Sequence, residues 1–360
     1  MKDHQFRALF ASCNCQSRRG FLKNLVKVGA LSSCLSLPSV AQTSENNTSK
    51  VIDTHHHFFP PEYQNAWMNW AALRKTPLVG DQAIWSPEKS LTLMDQAGVK
   101  KSILSLASTP GLWFDLPPAE VIQLVRNCND YGADMVKKHP DRYGLFAAVP
   151  MVDTESSLKE INYALDTLNA VGIGLQTNYG DKWPGDPVYD PVFKELNRRK
   201  AVVYFHPLAA ACCGRLNVGA ITPTLEVPHD TTRAVVSLLL KGTLAKYRDI
   251  KWLFSHAGGT IPMLAGRIDY FYGHQDKTAE FAPNGIEDEL RRLYYDTANA
   301  THPSSMAALL KLIPSSQVVF GSDYPYVPID TQLRALDKLD ISSQIKEDIK
   351  YRNTQVLLKK

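Results

Sequence analysis

Three adjacent histidines follow a short apolar run in the sequence VIDTHHHFFPPEY at 51–63. Consecutive side chains of a β-strand point to opposite faces, so His55 and His57 would share one face while His56 points away. Two imidazoles on one face can both bind a single metal ion. The triplet therefore predicts one part of a metal site, with His55 and His57 as ligands.

Three further apolar runs end in histidine or aspartate. His206 ends the run AVVYFH, His256 ends IKWLFSH, and Asp323 ends QVVFGSD. In a parallel barrel the carboxyl ends of the strands form a ring, so these side chains would converge although they are distant in sequence. Imidazole and carboxylate groups are ligands for Zn²⁺, Fe²⁺ or Mn²⁺ in sites that keep positions open for water and substrate.

The remaining polar residues of these segments receive supporting roles. We expect His56 to pack against or support the site, and Asp53 to orient a ligand rather than to bind metal. Four other histidines fall on predicted loops or helix starts, where exposure or helix capping is expected: His139, His229, His274 and His302. His229 could instead face the site, because it ends the long connection after the fifth strand.

The elements that must position these residues recur as a β-then-α unit. Eight near-continuous apolar runs, typical of strands buried on both faces, alternate with amphipathic helical stretches after residue 50. This pattern predicts an α/β fold, a (β/α)₈ TIM barrel over residues 51–360 with C-terminal helices. A doubly wound open sheet is the alternative, but no G-x-G-x-x-G follows the first strand. The long connections 58–85 and 208–230 would lie on the C-terminal face of the barrel.

The first 41 residues have the pattern of an export signal. SRRGFLK places Arg18 and Arg19 before a modestly apolar stretch, and PSVAQ supplies small residues for cleavage after Ala41. Residues 42–50 form a polar linker. We expect a twin-arginine signal peptide, the twin-arginine export machinery as partner, and a periplasmic or secreted protein. The alternatives are a basic amphipathic helix of the fold itself, and a lipid anchor at Cys34 in LSSC.

Charge and cysteine content exclude several classes of protein. The chain of 360 residues has a formal net charge of +4, and residues 1–41 carry six of its basic residues with one acidic residue. The rest is therefore close to neutral, which argues against nucleic acid as a partner. Three of the six cysteines lie in the leader, and no CxxC occurs. A disulfide framework or a thiolate zinc site is not expected.

The motifs D-x-H-x-H, HP, SHAGG and GSDYP together resemble the amidohydrolase superfamily in its amidohydrolase-related branch. IDTHHHFFPP, SHAGGTIPMLAGRI and YYDTA are similar to its metal-dependent decarboxylases of the aminocarboxymuconate-semialdehyde, γ-resorcylate and 6-methylsalicylate group. The resemblance implies metal ligands at His55, His57, His206 and Asp323, with His256 as a catalytic histidine beside the metal. It also implies a homodimer.

Departures from the family pattern narrow this resemblance. An arginine of the aminocarboxymuconate enzymes corresponds to Asp81 here, and a tryptophan corresponds to Leu208, which argues against that substrate. The superfamily's binuclear hydrolases place a lysine or glutamate after strand four, where this chain has Gln176 and Thr177. One divalent metal is therefore expected, zinc first and manganese as the alternative.

The predicted function is nonoxidative decarboxylation of a small aromatic ortho-hydroxy carboxylic acid, similar to 6-methylsalicylate. The residues allow Asp323 or His256 as proton donor, with a metal-bound water as the alternative, and Asp323 is also a metal ligand. We expect substrate contacts at Phe59, Trp113 and Arg215, although packing of the two aromatic rings and a surface position of the arginine are open alternatives. Competing functions are a mononuclear hydrolase of a lactone or ester, and a noncatalytic periplasmic binding protein.

Overall fold

All eight predicted strands are present and form one parallel sheet in the order β1 to β8. The computed structural model describes residues 50–73, 81–107, 115–215 and 218–359, with the side chains of residues 214 and 215 left out. The expected leader (1–41), Cys34 and the linker up to residue 49 lie outside the described residues. The strands are β1 (Val51–His57), β2 (Val99–Ser105), β3 (Tyr143–Ala148), β4 (Gly172–Gln176), β5 (Val202–His206), β6 (Lys251–Phe254), β7 (Tyr294–Asp296) and β8 (Val318–Val319).

The sheet is closed by backbone hydrogen bonds between β1 and the segment that follows β8. Thr54 N donates to Phe320 O at 2.9 Å, and Asp323 N donates to His55 O at 2.9 Å. The first and last strands are therefore neighbours. The structure confirms the (β/α)₈ TIM barrel and contradicts the open sheet.

Helices cover the outside of the barrel between successive strands. They are α1 (Pro61–Leu73), α2 (Pro87–Ala97), α3 (Pro118–Lys138), α4 (Thr154–Asn162), α5 (Asp190–Arg198), α6 (Thr222–Leu240), α7 (Thr243–Lys246), α8 (Ile261–Tyr272), α9 (Thr278–Phe281), α10 (Ile286–Arg291), α11 (Pro303–Leu312), α12 (Ile329–Asp337), α13 (Ser343–Glu347) and α14 (Asn353–Leu358). The long connection after β5 contains a 3₁₀ turn at Ala211–Arg215 and the first turns of α6, which begins well before its predicted start at residue 231.

The local sequence explains where α2 begins and ends. Ser86 accepts a hydrogen bond from Lys89 N, Pro87 occupies the first helical position, and Gly98 ends the helix in a left-handed conformation at φ 70°. This placement directs Ser90 inward, where its hydroxyl lies 2.9 Å from His56 Nε2. The first helix after β1 that packs on the sheet thus supports the histidine segment.

Apolar side chains fill the barrel below its C-terminal mouth. Inward-facing residues of six strands form an inner cluster together with a residue of α14: Ile52, Ile103, Phe146, Val202, Tyr204, Leu253, Val319 and Leu357. Lys251 Nζ donates to Leu357 O at 2.9 Å, which fixes the C-terminal helix against the N-terminal end of the barrel. The strand ends that carry the predicted metal ligands lie at the opposite, C-terminal end of the barrel. Among the described residues, no helix is long and apolar enough to cross a membrane.

Candidate metal centre

The first strand directs two of its three histidines toward each other, as the alternation of side chains predicts. Nε2 of His55 lies 3.0 Å from Nε2 of His57, with the rings edge to face and their centroids 4.8 Å apart. His57 Nδ1 lies 3.2 Å from Ser105 O of β2. Because one ring nitrogen of His57 faces this carbonyl, the other is directed at the centre of the mouth.

Four strand ends bring their donor atoms together. One ligand atom each from His55, His206, His256 and Asp323 lies within 4.8 Å of the others. His57 lies beside this group, because its Nε2 is 3.2 Å from Asp323 Oδ1 and its ring centroid is 4.5 Å from that of His206. The structure thus collects all five side chains, and it offers both His57 and His256 as the fourth donor beside the other three.

Asp323 connects the two sides of this cluster. Its Oδ1 lies 3.1 Å from His55 Nε2, and its Oδ2 lies 3.3 Å from His256 Nε2. Asn299 Nδ2 donates to the same Oδ2 at 2.6 Å, and Gln332 Nε2 donates to Asn299 Oδ1 at 3.0 Å. A chain of amides from α12 therefore fixes the orientation of the carboxylate.

Three residues of the site have backbones in the left-handed region, at φ 53° for His256, 53° for Asn299 and 65° for Asp323. Residues other than glycine rarely adopt this region, and each instance costs about 1–3 kcal/mol. Such strain persists only where the surrounding contacts impose it. The close packing around this segment also explains the last glycine of SHAGG, because a Cβ on Gly259 would lie 1.9 Å from Pro228 O.

Asp296 is a functional residue that the sequence reasoning missed. Its Oδ2 lies 2.8 Å from His55 Nδ1, and its Oδ1 accepts from His256 N at 2.9 Å and from Ala298 N at 3.0 Å. A proton on Nδ1 of His55 would leave the Nε2 lone pair free for a cation. Asp296 ends β7, so the rule that found the other strand-end residues would also have found it in YYDTA.

Asp53 acts on the backbone of the predicted ligand His55 rather than on its ring. Its Oδ2 accepts from Ser322 Oγ at 2.6 Å and lies 3.1 Å from His56 Nδ1, while its Oδ1 accepts from His55 N and Ser322 N. It therefore holds the backbones of β1 and of the segment after β8, and it does not contact the His55 ring. His56 stacks on Tyr324 with centroids 4.7 Å apart, in agreement with its expected packing role.

The charges around the cluster favour a bound cation. Burial alone would lower the pKa of His55, but Asp296 and Asp323 outweigh it and raise this pKa to about 10. Burial lowers the pKa of His57 to about 4 and that of His206 well below its usual range. Burial acts upward on Asp323, yet His55 and the hydrogen bonds hold its pKa well below its usual range. The site thus combines neutral imidazoles at His57 and His206 with carboxylates that hold a positive charge on His55, the charge that a bound cation would replace.

The donor set fits one divalent cation. His206 Nδ1 and His256 Nδ1 are buried and have no hydrogen-bond partner among the described residues. Buried polar atoms of this kind normally have a partner. Imidazole nitrogen with carboxylate oxygen is a set that Zn²⁺ and Mn²⁺ both accept. This is a metal site of histidine and aspartate.

The expected substrate contacts are placed less favourably. Phe59 is 1% exposed and packs among Tyr63, Trp67 and Trp85, with ring centroids 5.8–6.5 Å away, so the packing alternative describes its surroundings. Trp113 lies outside the described residues. Arg215 ends the 3₁₀ turn after β5, and its side chain lies outside them too.

The histidines outside the cluster have the expected exposed or capping positions where the structure describes their contacts. His229 is exposed and its Nδ1 lies 2.6 Å from Leu225 O, so it does not face the site. The neighbouring Asp230 is buried. His302 caps α11, since its Nδ1 accepts from Ser304 N, and the His274 side chain is 80% exposed.

A small cavity adjoins the cluster inside the mouth of the barrel. Its walls come from β3, β4, β5 and the residue after β2: Leu106, Phe146, Ala148, Gly174, Leu175, Gln176, Tyr204 and His206. Most of this lining is apolar. The cavity joins one candidate ligand, His206, to an apolar wall.

Known proteins share this arrangement of strands. The amidohydrolase family matches residues 52–359. A 6-methylsalicylic acid decarboxylase from Penicillium expansum is 35% identical over 298 residues, which cover 80% of this chain and 89% of that protein. A crystal structure of an amidohydrolase matches with a TM-score of 0.75 and 29% identity, over 86% of this chain and 99% of that one.

A manganese-bound dihydroxybenzoic acid decarboxylase from Polaromonas has the same fold, with a TM-score of 0.74 at 22% identity over 86% of this chain and 97% of that one. The family match spans nearly all of the barrel, from β1 to α14. It includes every strand that contributes to the metal site. The chain therefore belongs to the amidohydrolase family.

Proposed function

We propose that this protein is a metal-dependent decarboxylase of a small aromatic acid that carries a hydroxyl group ortho to its carboxylate. The observation that carries the proposal is the cluster of His55, His206, His256 and Asp323 at the mouth of the barrel, beside an apolar cavity. The absence of a lysine or glutamate at the end of β4, where Gln176 stands, argues for a single cation. The 35% identical Penicillium decarboxylase supports the same reaction.

The side chains of the chain divide the work. His55, His206 and Asp323 would hold the cation with His57 as the fourth ligand, and Asp296 keeps His55 in the orientation that this needs. When bound, a divalent cation supplies positive charge that fixes the carboxylate and ortho oxygens of the acid. Decarboxylation then requires a proton at the ring carbon that bears the carboxylate.

His256 is the proposed proton donor. Its Nε2 lies 3.3 Å from Asp323 Oδ2, so this carboxylate positions the imidazole beside the other donors of the site. The proton adds to the ring carbon, and the bond to the carboxylate then breaks. Its electron pair returns to the ring as CO₂ leaves. A positioned acid of this kind contributes about 10²–10⁴-fold to the rate.

The test is a panel of aromatic acids and lactones with the metal-loaded protein. Release of CO₂ from an ortho-hydroxybenzoate, followed by mass spectrometry, is the expected result. Opening of a lactone without CO₂ would instead make the protein a hydrolase, and turnover of nothing by a metal-bearing protein would favour a binding protein. Zinc is the proposed ion, and manganese, the ion of the Polaromonas structure, is the comparison.

We also propose that residues 1–41 direct export by the twin-arginine machinery to the periplasm. Arg18 and Arg19 before an apolar stretch support this, as does the start of the family match at residue 52. Replacing both arginines with lysine should retain the protein in the cytoplasmic fraction.

Cys34→Ala, with membrane and soluble fractions compared, tests lipid attachment. Light scattering tests the proposed homodimer.

A further inference from the structure

Gln176 ends β4 and points into the mouth of the barrel. It is the register partner of His206 on β5, and side chains of register partners in adjacent strands lie on the same side of the sheet. Both residues line the cavity beside the metal site, together with Tyr204. Gln176 is thus one strand away from a candidate metal ligand and faces the same space.

The carboxamide of Gln176 is buried without a hydrogen bond to any group of the described residues. The residue is 1% exposed, and neither Nε2 nor Oε1 has a hydrogen bond to any residue that the structure describes. The Tyr204 hydroxyl, in the same cavity, is equally buried and unpartnered there. By contrast, Asn129 is also 1% exposed, but its amide both donates to Ala148 O and accepts from Ala148 N at 2.9 Å.

The backbone around Gln176 is fixed, so the side chain is held in this direction. Gln176 N donates to the Tyr179 hydroxyl at 3.0 Å. Thr177 Oγ1 donates to the buried Asp230 at 2.5 Å and accepts from Leu208 N at 3.1 Å, which ties the end of β4 to the connection after β5. A rigid buried amide without a partner is a group prepared for a ligand.

We propose that Gln176 is a substrate-binding residue that selects for the ortho hydroxyl of the aromatic acid. Its amide N–H donates to an oxygen of the acid, and its carbonyl accepts from the ring hydroxyl. An amide can do both because it carries two donors and one acceptor. A neutral group suits this position, since the charge of the acid would already be balanced at the neighbouring cluster. The inference rests on the proposed decarboxylase function.

The test compares Gln176→Met, which keeps the length of the side chain and removes both polar atoms, with Gln176→Asn, which keeps the amide and withdraws it. The matched control is Gln317→Met at the opposite end of the barrel, where Gln317 Nε2 donates to Arg292 O. The measurements are the Kd and KM for a 2-hydroxybenzoate and for the same acid lacking the hydroxyl, together with Tm.

Gln176→Met should weaken binding of the hydroxy acid by about 2–10-fold more than binding of the acid without the hydroxyl, since the bond from the ring hydroxyl is a neutral hydrogen bond. Its Tm should equal or exceed that of the wild type. The affinity of Gln176→Asn for the hydroxy acid should lie between those of the wild type and Gln176→Met. If the wild-type protein releases CO₂ and Gln176→Met prefers the hydroxy acid as strongly as the wild type does, this inference alone is overturned. A wild type that binds and decarboxylates no acid would overturn the proposed function and this inference with it.

Discussion

Nδ1 of His55 lies 2.8 Å from Oδ2 of Asp296, and both side chains are fully buried. The same carboxylate accepts from the backbone N–H of His256, so one residue on β7 positions histidines on β1 and after β6. A carboxylate behind a metal-binding imidazole fixes its tautomer and raises its basicity. Asp296 therefore positions two histidines of the metal site at once.

Asp296→Asn should therefore weaken the binding of zinc. The amide keeps the shape of the side chain and removes the charge that faces His55, and losses of this kind are about 10–100-fold in metal affinity. Titration against a chelator of known affinity measures the change. Asp134→Asn, at an exposed position on α3, is the control. Equal zinc affinity in the two variants would contradict the positioning role.

The stability of the metal-free protein should depend on pH with a maximum near the ordinary pKa of histidine. His57 has a lowered pKa of about 4 in the folded protein, so its unfolded form binds more protons between pH 4 and 6.5, and stability rises over that range. His55 has a raised pKa of about 10, so its contribution is complete below pH 6.5 and is lost as the pH rises through 10.

Thermal unfolding of the chelator-treated protein across this pH range measures both arms. His55→Gln should flatten the alkaline arm, and the exposed variant His274→Gln should leave both arms unchanged. Added zinc should remove the alkaline decline, since the cation takes the place of the His55 proton. A Tm that stays constant from pH 6.5 to 10 in the metal-free wild type would count against the charge assigned to His55.

Substitution of His57 should reduce metal binding, whereas substitution of His256 should reduce the reaction rate. Both reach Asp323, but His57 shares the centre with His206 at a ring distance of 4.5 Å, whereas His256 contacts the other carboxylate oxygen. His57→Asn should lose bound metal. His256→Asn should retain metal and lose about 10²–10⁴-fold in kcat.

Metal analysis beside steady-state kinetics separates these two roles, and the exposed His229→Asn serves as control. The reverse result, with metal lost only in His256→Asn, would make His256 the fourth ligand and leave Asp323 as the proton donor.

Asn299→Asp should shift the pH profile of the reaction. Asn299 donates to Asp323 Oδ2 at 2.6 Å, and an aspartate there would place a second carboxylate against the first. Like charges raise the pKa of the pair, so the acidic limb of kcat/KM should move to higher pH. Asn169→Asp is a matched control, because Asn169 is exposed and also left-handed, at φ 55°. Identical pH profiles for the two variants would show that Asn299 does not act on Asp323.

Gly259→Ala should destabilise the fold, whereas Gly266→Ala should not. Position 259 combines φ 67° with a Cβ that would lie 1.9 Å from Pro228 O, for a combined loss of roughly 2–4 kcal/mol. Position 266 lies inside α8 with nothing within 4 Å, and alanine there should gain about 0.5–1 kcal/mol. Urea unfolding measures both. A tolerated Gly259→Ala would mean that the loop after β6 can move, and His256 with it.

Sequence reasoning succeeded where the signal was local. Eight apolar runs are each long enough for a buried strand, and their regular alternation with amphipathic helices leaves few architectures besides a closed barrel. Histidine or aspartate at a strand end is visible in the chain itself, as in YFHP or GSDYP. The alternation of side chains was enough to assign His55 and His57 to one face and His56 to the other.

Sequence reasoning failed where a partner comes from a distant part of the chain. Asp53 binds the backbone of the predicted ligand His55, but no neighbouring residue indicates Ser322, its partner from the far end of the chain. Asp296 is recognisable as a strand-end residue in YYDTA, but nothing in that segment indicates that its partner is the His55 imidazole on β1. Phe59 was assigned to the substrate, yet three other aromatic rings surround it.

The amino-acid sequence by itself determined the barrel and the set of side chains at its mouth, since apolar periodicity and strand ends depend on near neighbours only. The tertiary structure alone decided which nitrogen faces which oxygen, and that the Gln176 amide has no hydrogen-bond partner within the described part of the chain. The register between strands determines which groups can form hydrogen bonds. That register depends on contacts between segments as distant as β1 and the residues after β8. A buried polar group is satisfied or not by that geometry, whatever its residue type.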